Sequence, residues 1–230
     1  MKKKIFIPLV TIAFLLIGIR VGTTSAYFIS EDKVTNNFQN GDVDIEIEEP
    51  NFNPPNSGWS GWKVDKKVQV KNESTVPVLV RVSITPSWSN DKEGNSPFLG
   101  NISENVVKLN FNKENLITDS NKIVPKSWIQ GNDGYYYYTS ALEIEDETNE
   151  EKNKTSALLQ SIEATINAET VGEDFVSLYE DKYLQVDVKS EAIQISDKSY
   201  EKLWNINDET ISGLLDKIIN EYKANENGGV

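Results

Sequence analysis

Acidic side chains dominate the residues of this sequence that could take part in chemistry. The chain has 36 Asp and Glu residues against 23 Lys and Arg, and it has no His and no Cys. A catalytic triad built on His, a thiolate nucleophile and a zinc centre with His or Cys ligands are therefore excluded. The net charge of −13 argues against a nucleic-acid partner, because neutralising phosphates requires clustered cations. We expect no enzyme activity, no catalytic residues, no metal site and no cofactor.

Two polar stretches have some features of metal-binding loops. Residues 89–94 carry side-chain oxygens at alternate positions up to Gly94, as the start of a calcium loop does. The acidic residue that would close such a loop is missing, because Gly100 stands at its position. The acidic run at 143–151 has the composition of a solvated loop. Both stretches are therefore predicted to be polar turns or loops.

The aromatic residues raise an alternative function in sugar binding. The sequence has five Trp residues, and four Tyr residues follow one another at 135–138. Successive side chains of a strand point to opposite faces, so at most one pair of these tyrosines can form an exposed platform. Trp59 and Trp62 lie in a spacer rich in Gly, Ser and Pro and are the candidate aromatic binding surface. The alternative prediction is a cell-surface carbohydrate-binding or adhesion module.

The N-terminus has the layout of a secretory signal peptide. Three lysines at 2–4 precede an uncharged, mostly apolar stretch at 5–19, and small residues at 24–26 form the cleavage site. A membrane anchor is the alternative, but the apolar stretch is shorter than the roughly 20 residues that span a bilayer. We predict cleavage between Ala26 and Tyr27, which removes four cations and no acid and so changes the net charge from −13 to −17. The mature protein is expected to be secreted to the extracellular matrix or cell surface.

Short segments of alternating apolar and polar residues dominate the rest of the chain. This period of two is typical of half-buried strands, and without a strand–helix rhythm it predicts an all-β antiparallel sandwich. Pro77 and Pro86 are expected to bracket one strand. The apolar positions change parity between Val188 and Ile193, which predicts a bulge or a corner there. The predicted strands are 42–48, 67–71, 78–84, 135–144, 162–168 (where a helical turn is the alternative) and 184–195.

One segment near the C-terminus has helical periodicity instead. Asn207 is placed to cap a helix that begins with two acids, and apolar residues then recur at spacings of three and four. Leu215 and Ile219 lie at the centre of this apolar face and are the candidate docking residues. A helix of this length is marginal in water, so the face must pack on its own sandwich or on a partner.

The junction after the signal has the sequence Thr-Ser-Ala-Tyr-Phe-Ile-Ser-Glu-Asp at 24–32, followed by the strand Asn-Gly-Asp-Val-Asp-Ile at 40–45. These two stretches resemble the TasA/camelysin family of biofilm matrix proteins. The stretch 70–82 is similar to the family's next strand pair, and the tyrosines at 135–138 and the segment 185–194 are similar to the clostridial BsaA-type branch. The resemblance extends over about residues 1 to 196 and leaves out the C-terminal helix.

This resemblance implies a jelly-roll β-sandwich that polymerises by donor-strand exchange. Export through a signal peptidase of the SipW type is expected to free residues 27–40 as a donor-strand segment, which inserts into the next subunit. The domain at 41–200 would receive it, and the C-terminal amphipathic helix would occupy 205–225. The expected partners are further copies in a head-to-tail homopolymer, with other matrix proteins or polysaccharide as additional candidates. The apolar residues of the donor segment are Phe28, Ile29, Val34 and Phe38.

Two alternatives to this interpretation stay open in the sequence. Residues 27–38 can instead pair within their own subunit. Camelysin-like members are also described as metallopeptidases, but this chain has no His to bind zinc. We therefore predict a structural subunit of extracellular fibres and treat the metallopeptidase as the less favoured alternative.

Overall fold

The computed structural model describes residues 20–25, 36–38, 41–43, 45–48, 62–145, 152–196 and 198–227. Strands account for most of the regular structure in these ranges, so the predicted β-rich fold is confirmed. The strands are β1 Arg20–Ser25, β2 Asn36–Phe38, β3 Gly41–Val43, β4 Ile45–Glu48, β5 Trp62–Asp65, β6 Gln69–Asn72, β7 Val78–Ser89, β8 Pro97–Phe98, β9 Val107–Phe111, β10 Leu116–Ile117, β11 Trp128–Gln130, β12 Tyr136–Tyr138, β13 Leu159–Ala164 and β14 Tyr183–Gln194.

The largest sheet has seven strands in the order β1-β14-β7-β12-β11-β10, with β8 pairing with part of β7. Its pairs are antiparallel except β10 with β11. The two central strands, β7 and β14, pair over twelve residues each, from Ser89 opposite Tyr183 to Val78 opposite Gln194. This long antiparallel pair is the frame on which the rest of the sheet is built.

Two of the three smaller sheets join into a second layer. Strand β13 lies between β5 and β9, and β4 pairs with β6. The residues between β5 and β6 also form backbone hydrogen bonds with the residues at and just before the start of β13. Lys66 N donates to Gln160 O at 2.9 Å, and Leu158 N donates to Val68 O at 2.9 Å. Side chains from both layers form one hydrophobic core, which includes Val70, Val82 and Ile162. Burial of this apolar surface holds the two layers together.

Helices cover the outer face of the seven-stranded sheet. They are α2 Ser199–Trp204 and α3 Glu209–Asn227, while α1 Ala168–Val171 and a 3₁₀ helix at Glu173–Tyr179 lie before β14. A second apolar cluster lies between α2, α3 and the sheet. No helix in the described ranges is both long enough and apolar enough to cross a membrane. The second cluster contains Leu79, Ile129, Tyr137, Ile193, Ile195, Tyr200, Trp204, Ile211, Leu214, Leu215, Ile218 and Ile219.

The parity change in β14 has a different cause from the one predicted. No bulge or corner occurs, because the register between β14 and β7 is continuous. Val186 and Val188 face the core between the layers, whereas Ile193 and Ile195 belong to the cluster under the helices. The apolar residues therefore change parity because the helices cover the opposite face of the sheet.

Three further details of the sequence prediction are corrected. Pro86 lies inside β7 and does not end it. It stands between the part of β7 that pairs with β12 and the part that pairs with β8, so its missing N–H interrupts neither of these pairings. Asp208 caps α3 in place of Asn207, since its Oδ1 accepts hydrogen bonds from the backbone N–H groups of Thr210 and Ile211. The strand predicted at 162–168 ends at Ala164, and Asn167 caps α1.

Candidate functional site

The outer edge of β14 is the feature of the fold most directly related to strand addition. Strand β1 pairs with it in antiparallel register, from Arg20 opposite Ala192 to Ser25 opposite Asp187. The N-terminal segment is thus the last strand of the seven-stranded sheet. Without β1, β14 would itself be an edge strand, with backbone N–H and C=O groups that another strand can bind. The sheet therefore has an edge that accepts a strand from the N-terminal region of the chain.

The part of β14 that β1 covers is anchored in the core. Val188, Ser190 and Ala192 have no solvent exposure. The Ser190 Oγ has no hydrogen-bond partner within the described part of the chain. This edge therefore combines backbone groups that bind a strand with side chains that belong to the core.

The opposite edge of the same sheet has a different character. Strand β10 is only two residues long and pairs in parallel with β11. A cleft of about 390 Å³ lies between this edge and the start of α3, where Leu116, Gln130 and Asp208 are among its lining residues. Short edge strands offer little backbone for pairing with another chain. Of these two edges, β14 is the one with the length to accept a strand.

A buried group of charges lies on the outer face of the sheet, next to the helices. The Arg81 guanidinium donates to Glu191 Oε2 from Nη2 at 2.6 Å and from Nε at 2.9 Å. The Lys189 ammonium lies 2.7 Å from Glu191 Oε1, which also accepts from the Tyr135 hydroxyl at 2.9 Å. Arg81 further contacts Asp133 at 3.3 Å. These bonds join β7 to β14 and to the loop before β12.

The electrostatics of this group follow from its burial and its bonds. Burial alone would raise the pKa of Glu191, but hydrogen bonds and charges of Lys189 and Arg81 outweigh it and lower that pKa below its ordinary value. Burial likewise opposes the charged form of Arg81, and bonds to Tyr137 and Glu191 raise its pKa instead. The group is therefore ionised and internally paired, as in a structural ion network.

The tyrosines at 135–138 serve packing and do not form a platform. Tyr136 and Tyr138 lie in the core between the layers, and Tyr137 is fully buried under the helices. The guanidinium carbon of Arg81 lies 3.9 Å from the ring centre of Tyr135. Trp88, Trp128 and Trp204 are also buried. The aromatic residues named here are thus used inside the fold.

Burial makes the tyrosines of the core a source of alkaline instability. It raises the pKa of Tyr136 and of Tyr138 to about 12, from an ordinary value of 10.0. A pKa raised by folding gives stability that is present below pH 10 and is lost as the pH rises toward 12. We expect the free energy of unfolding, measured with urea, to fall across this window. The variant Tyr136→Phe should show a smaller fall, and an identical fall would contradict this assignment.

The residues predicted as sites fall in several parts of the chain. Six of them, and most of the predicted signal peptide, lie outside the described residues. The six are Ala26, Tyr27, Phe28, Ile29, Val34 and Trp59. Phe38 lies in β2, which pairs with β3 of its own chain. Trp62 begins β5. Leu215 and Ile219 are buried in the cluster between α3 and the sheet.

The stretch at 89–94 forms a turn between β7 and β8. Asp91 Oδ1 accepts from the backbone N–H of Asn95 at 3.0 Å, and Gly94 has a positive φ of 76°. Across the residues that the structure describes, no group of three or more carboxylates is arranged to hold a metal ion. The carboxylate of Asp91 therefore stabilises the turn itself.

Sequence reasoning missed two features that the fold brings together. The first is the ion pair between Arg81 and Glu191, which lie 110 positions apart in the sequence. The sequence indicated it only by placing a cation and an acid within two predicted strands that are otherwise rich in apolar residues. The second is the pairing of residues 20–25 with β14. The sequence did not predict it, because these residues were assigned to the end of the signal peptide.

Comparison with known proteins gives no relative for this chain. No protein-family model matches it, and neither the curated proteins nor the solved structures contain a match. The functional argument therefore depends on the residues and the geometry described above.

Proposed function

We propose that this protein is a secreted structural subunit of extracellular biofilm matrix fibres, which polymerises by inserting its N-terminal strand into a neighbouring subunit. The observation that carries the proposal is the pairing of an N-terminal segment with the outer edge of β14. A sheet edge that takes a strand from its own N-terminal region has the backbone groups to take one from a neighbour. We propose further that the two layers are arranged as a jelly roll.

Strand insertion of this kind produces a fibre because the contact is head-to-tail. One subunit gives the strand and the next accepts it, so the contact does not close on itself and propagates. The apolar residues between positions 27 and 38 supply the side chains that such a strand would bury. The absence of His and Cys from the sequence agrees with a structural and non-enzymatic role. Export with signal cleavage would deliver the subunit to the cell surface or matrix.

The donor segment is tested by replacing its apolar residues. The mature chain from Tyr27 is expected to form filaments, and the double variant Phe28→Ser, Ile29→Ser is expected to reduce the filament yield by at least about tenfold, because the inserted strand loses its buried side chains. Negative-stain microscopy and pelleting measure the yield. The matched control, Asp32→Ser with Lys33→Ser, alters the same segment without changing its net charge and should keep filament formation.

Two outcomes would contradict the proposal. Equal yields from the apolar double variant and the mature chain would show that the segment is not the donor. Absence of filaments from a mature chain that circular dichroism shows to be folded would argue against the fibre role itself.

A further inference from the structure

The position of β1 relative to the predicted cleavage site has a direct structural consequence. Strand β1 ends at Ser25, and cleavage is predicted between Ala26 and Tyr27. Every residue of the strand therefore lies on the fragment that the peptidase removes. Cleavage would take away the last strand of the seven-stranded sheet and leave the outer edge of β14 at 187–192 without it.

The composition of β1 is that of a weakly held strand. Its sequence, Arg-Val-Gly-Thr-Thr-Ser, contains one large apolar residue, Val21, and Gly22 weakens a strand at its centre. The segment after the cleavage site carries the apolar residues Tyr27, Phe28, Ile29 and Val34. A strand from that segment has more apolar surface to bury against the core than β1 has.

We propose that residues 20–25 act as a place-holder strand: they occupy the outer edge of β14 in the precursor, and cleavage vacates this edge for a strand from a second copy of the chain. The choice of that occupant rests on the proposed function, whereas the place-holder role rests on the pairing itself. While β1 fills this position, a neighbour's strand cannot pair with β14, so assembly through β14 would wait for cleavage even if precursors meet at the membrane.

Chain length favours a second copy over the subunit's own new N-terminus. Ten residues, 26–35, connect β1 to β2 in the full chain. If Tyr27 of the same chain took the place of Arg20 opposite Ala192, residue 32 would stand opposite Asp187, and only the three residues 33–35 would remain for that connection. The four steps from residue 32 to Asn36 reach at most about 14 Å, whereas the eleven steps from Ser25 to Asn36 in the full chain reach about 36 Å. A strand from a second copy has no such restriction.

Amide hydrogen exchange measured by mass spectrometry tests the place-holder role. The full chain in detergent micelles is compared with the chain from Tyr27, kept dilute so that it stays monomeric. Exchange at 187–192 should be at least about tenfold faster in the cleaved chain, because the amides that face β1 lose their partners. Strand β7 is the internal control and should keep its protection in both chains, which also shows that both are folded. Equal rates at 187–192 would overturn the proposal.

Two proline variants of the full chain give a second test that leaves the rest of the protein intact. Alternate residues of an antiparallel strand direct their N–H groups to the neighbour, so only one of Gly22 and Thr23 donates to β14. Gly22→Pro and Thr23→Pro are therefore a matched pair, and one of them should speed exchange at 187–192 more than the other. No change in either variant would contradict pairing by β1.

The occupant is tested by adding a peptide of residues 27–38 to the dilute cleaved chain. It should restore protection at 187–192, whereas the same peptide with Phe28→Ser and Ile29→Ser should not. A vacated edge that this peptide does not protect would overturn the choice of occupant. If the cleaved chain forms no filaments but exchanges faster at 187–192 than the full chain, only the proposed function is contradicted. If filaments form normally but the two chains exchange at equal rates at 187–192, only the place-holder role is contradicted.

Discussion

Replacing Leu215 with Glu is expected to lower the melting temperature of the monomer by about 10 °C, because the new carboxylate enters the apolar cluster under α3. Leu215 has no solvent exposure there and packs in one cluster with Tyr200 and Trp204. An unpaired charge in such a place costs about 4 kcal/mol, and each kcal/mol lowers the melting temperature of a chain of this size by roughly 2–4 °C. Ile219→Glu should act similarly, since Ile219 lies in the same cluster.

The matched control for this prediction is Asn220→Glu. It introduces the same residue and the same change of charge five positions along the same helix, where the side chain is exposed. Its effect on the free energy of unfolding should stay within about 0.5 kcal/mol. Calorimetry of the dilute monomer measures both variants. An unchanged melting temperature in Leu215→Glu would show that α3 does not stabilise its own subunit and would favour docking on a partner.

The helix illustrates which parts of the fold are predictable from sequence. A spacing of three and four residues predicts α3 and its apolar face, because periodicity is a local property. What that face covers is not local. The sequence left open whether the helix packs on its own sandwich or on a partner, and the cluster with Leu79 and Ile193 places it on its own sheet.

The same limit explains the error in β14. The parity of the apolar positions in a strand shows on which face of the sheet each apolar side chain lies. It does not show what packs against that face. Val188 and Ile193 have opposite parity in a continuous strand, because one face meets the second layer and the other meets the helices. A strand sequence indicates a helix packed on the sheet only when it is already known that both faces of the sheet are buried.

The candidate site was less accessible to sequence reasoning than the strands were. The period of two located β7 and β14 and showed apolar residues of both parities in β14. The pairing of β1 with β14 is long-range, and nothing in residues 20–25 indicates a strand apart from Val21 and the two threonines. The ion pair between Arg81 and Glu191 is equally long-range, so it required the register that only the fold supplies.

Breaking that ion pair is expected to cost about 3 kcal/mol at neutral pH. Arg81→Met leaves Glu191, whose side chain is 4% exposed, with Lys189 and the Tyr135 hydroxyl as its remaining partners. Removing one member of a buried pair leaves a poorly compensated charge, whereas replacing both with apolar residues is often neutral. The double variant Arg81→Met, Glu191→Leu should therefore be more stable than Arg81→Met alone. Urea unfolding of four chains, the wild type, Arg81→Met, Glu191→Leu and the double variant, measures the coupling, and strict additivity of the two single effects would argue against it.

The acid dependence of stability gives an independent measure of the same pair. The pKa of Glu191 lies below its ordinary value of 4.5, since bonds from Lys189 and Arg81 outweigh the effect of burial. Its stabilising contribution is therefore complete above pH 4.5 and is lost as the pH falls through the lowered pKa. Glu191→Gln removes this titration, so the gap in unfolding free energy between wild type and variant should be largest near pH 7 and should narrow on acidification. A gap that stays constant down to about pH 3 would mean that the charge of Glu191 contributes nothing to the pair.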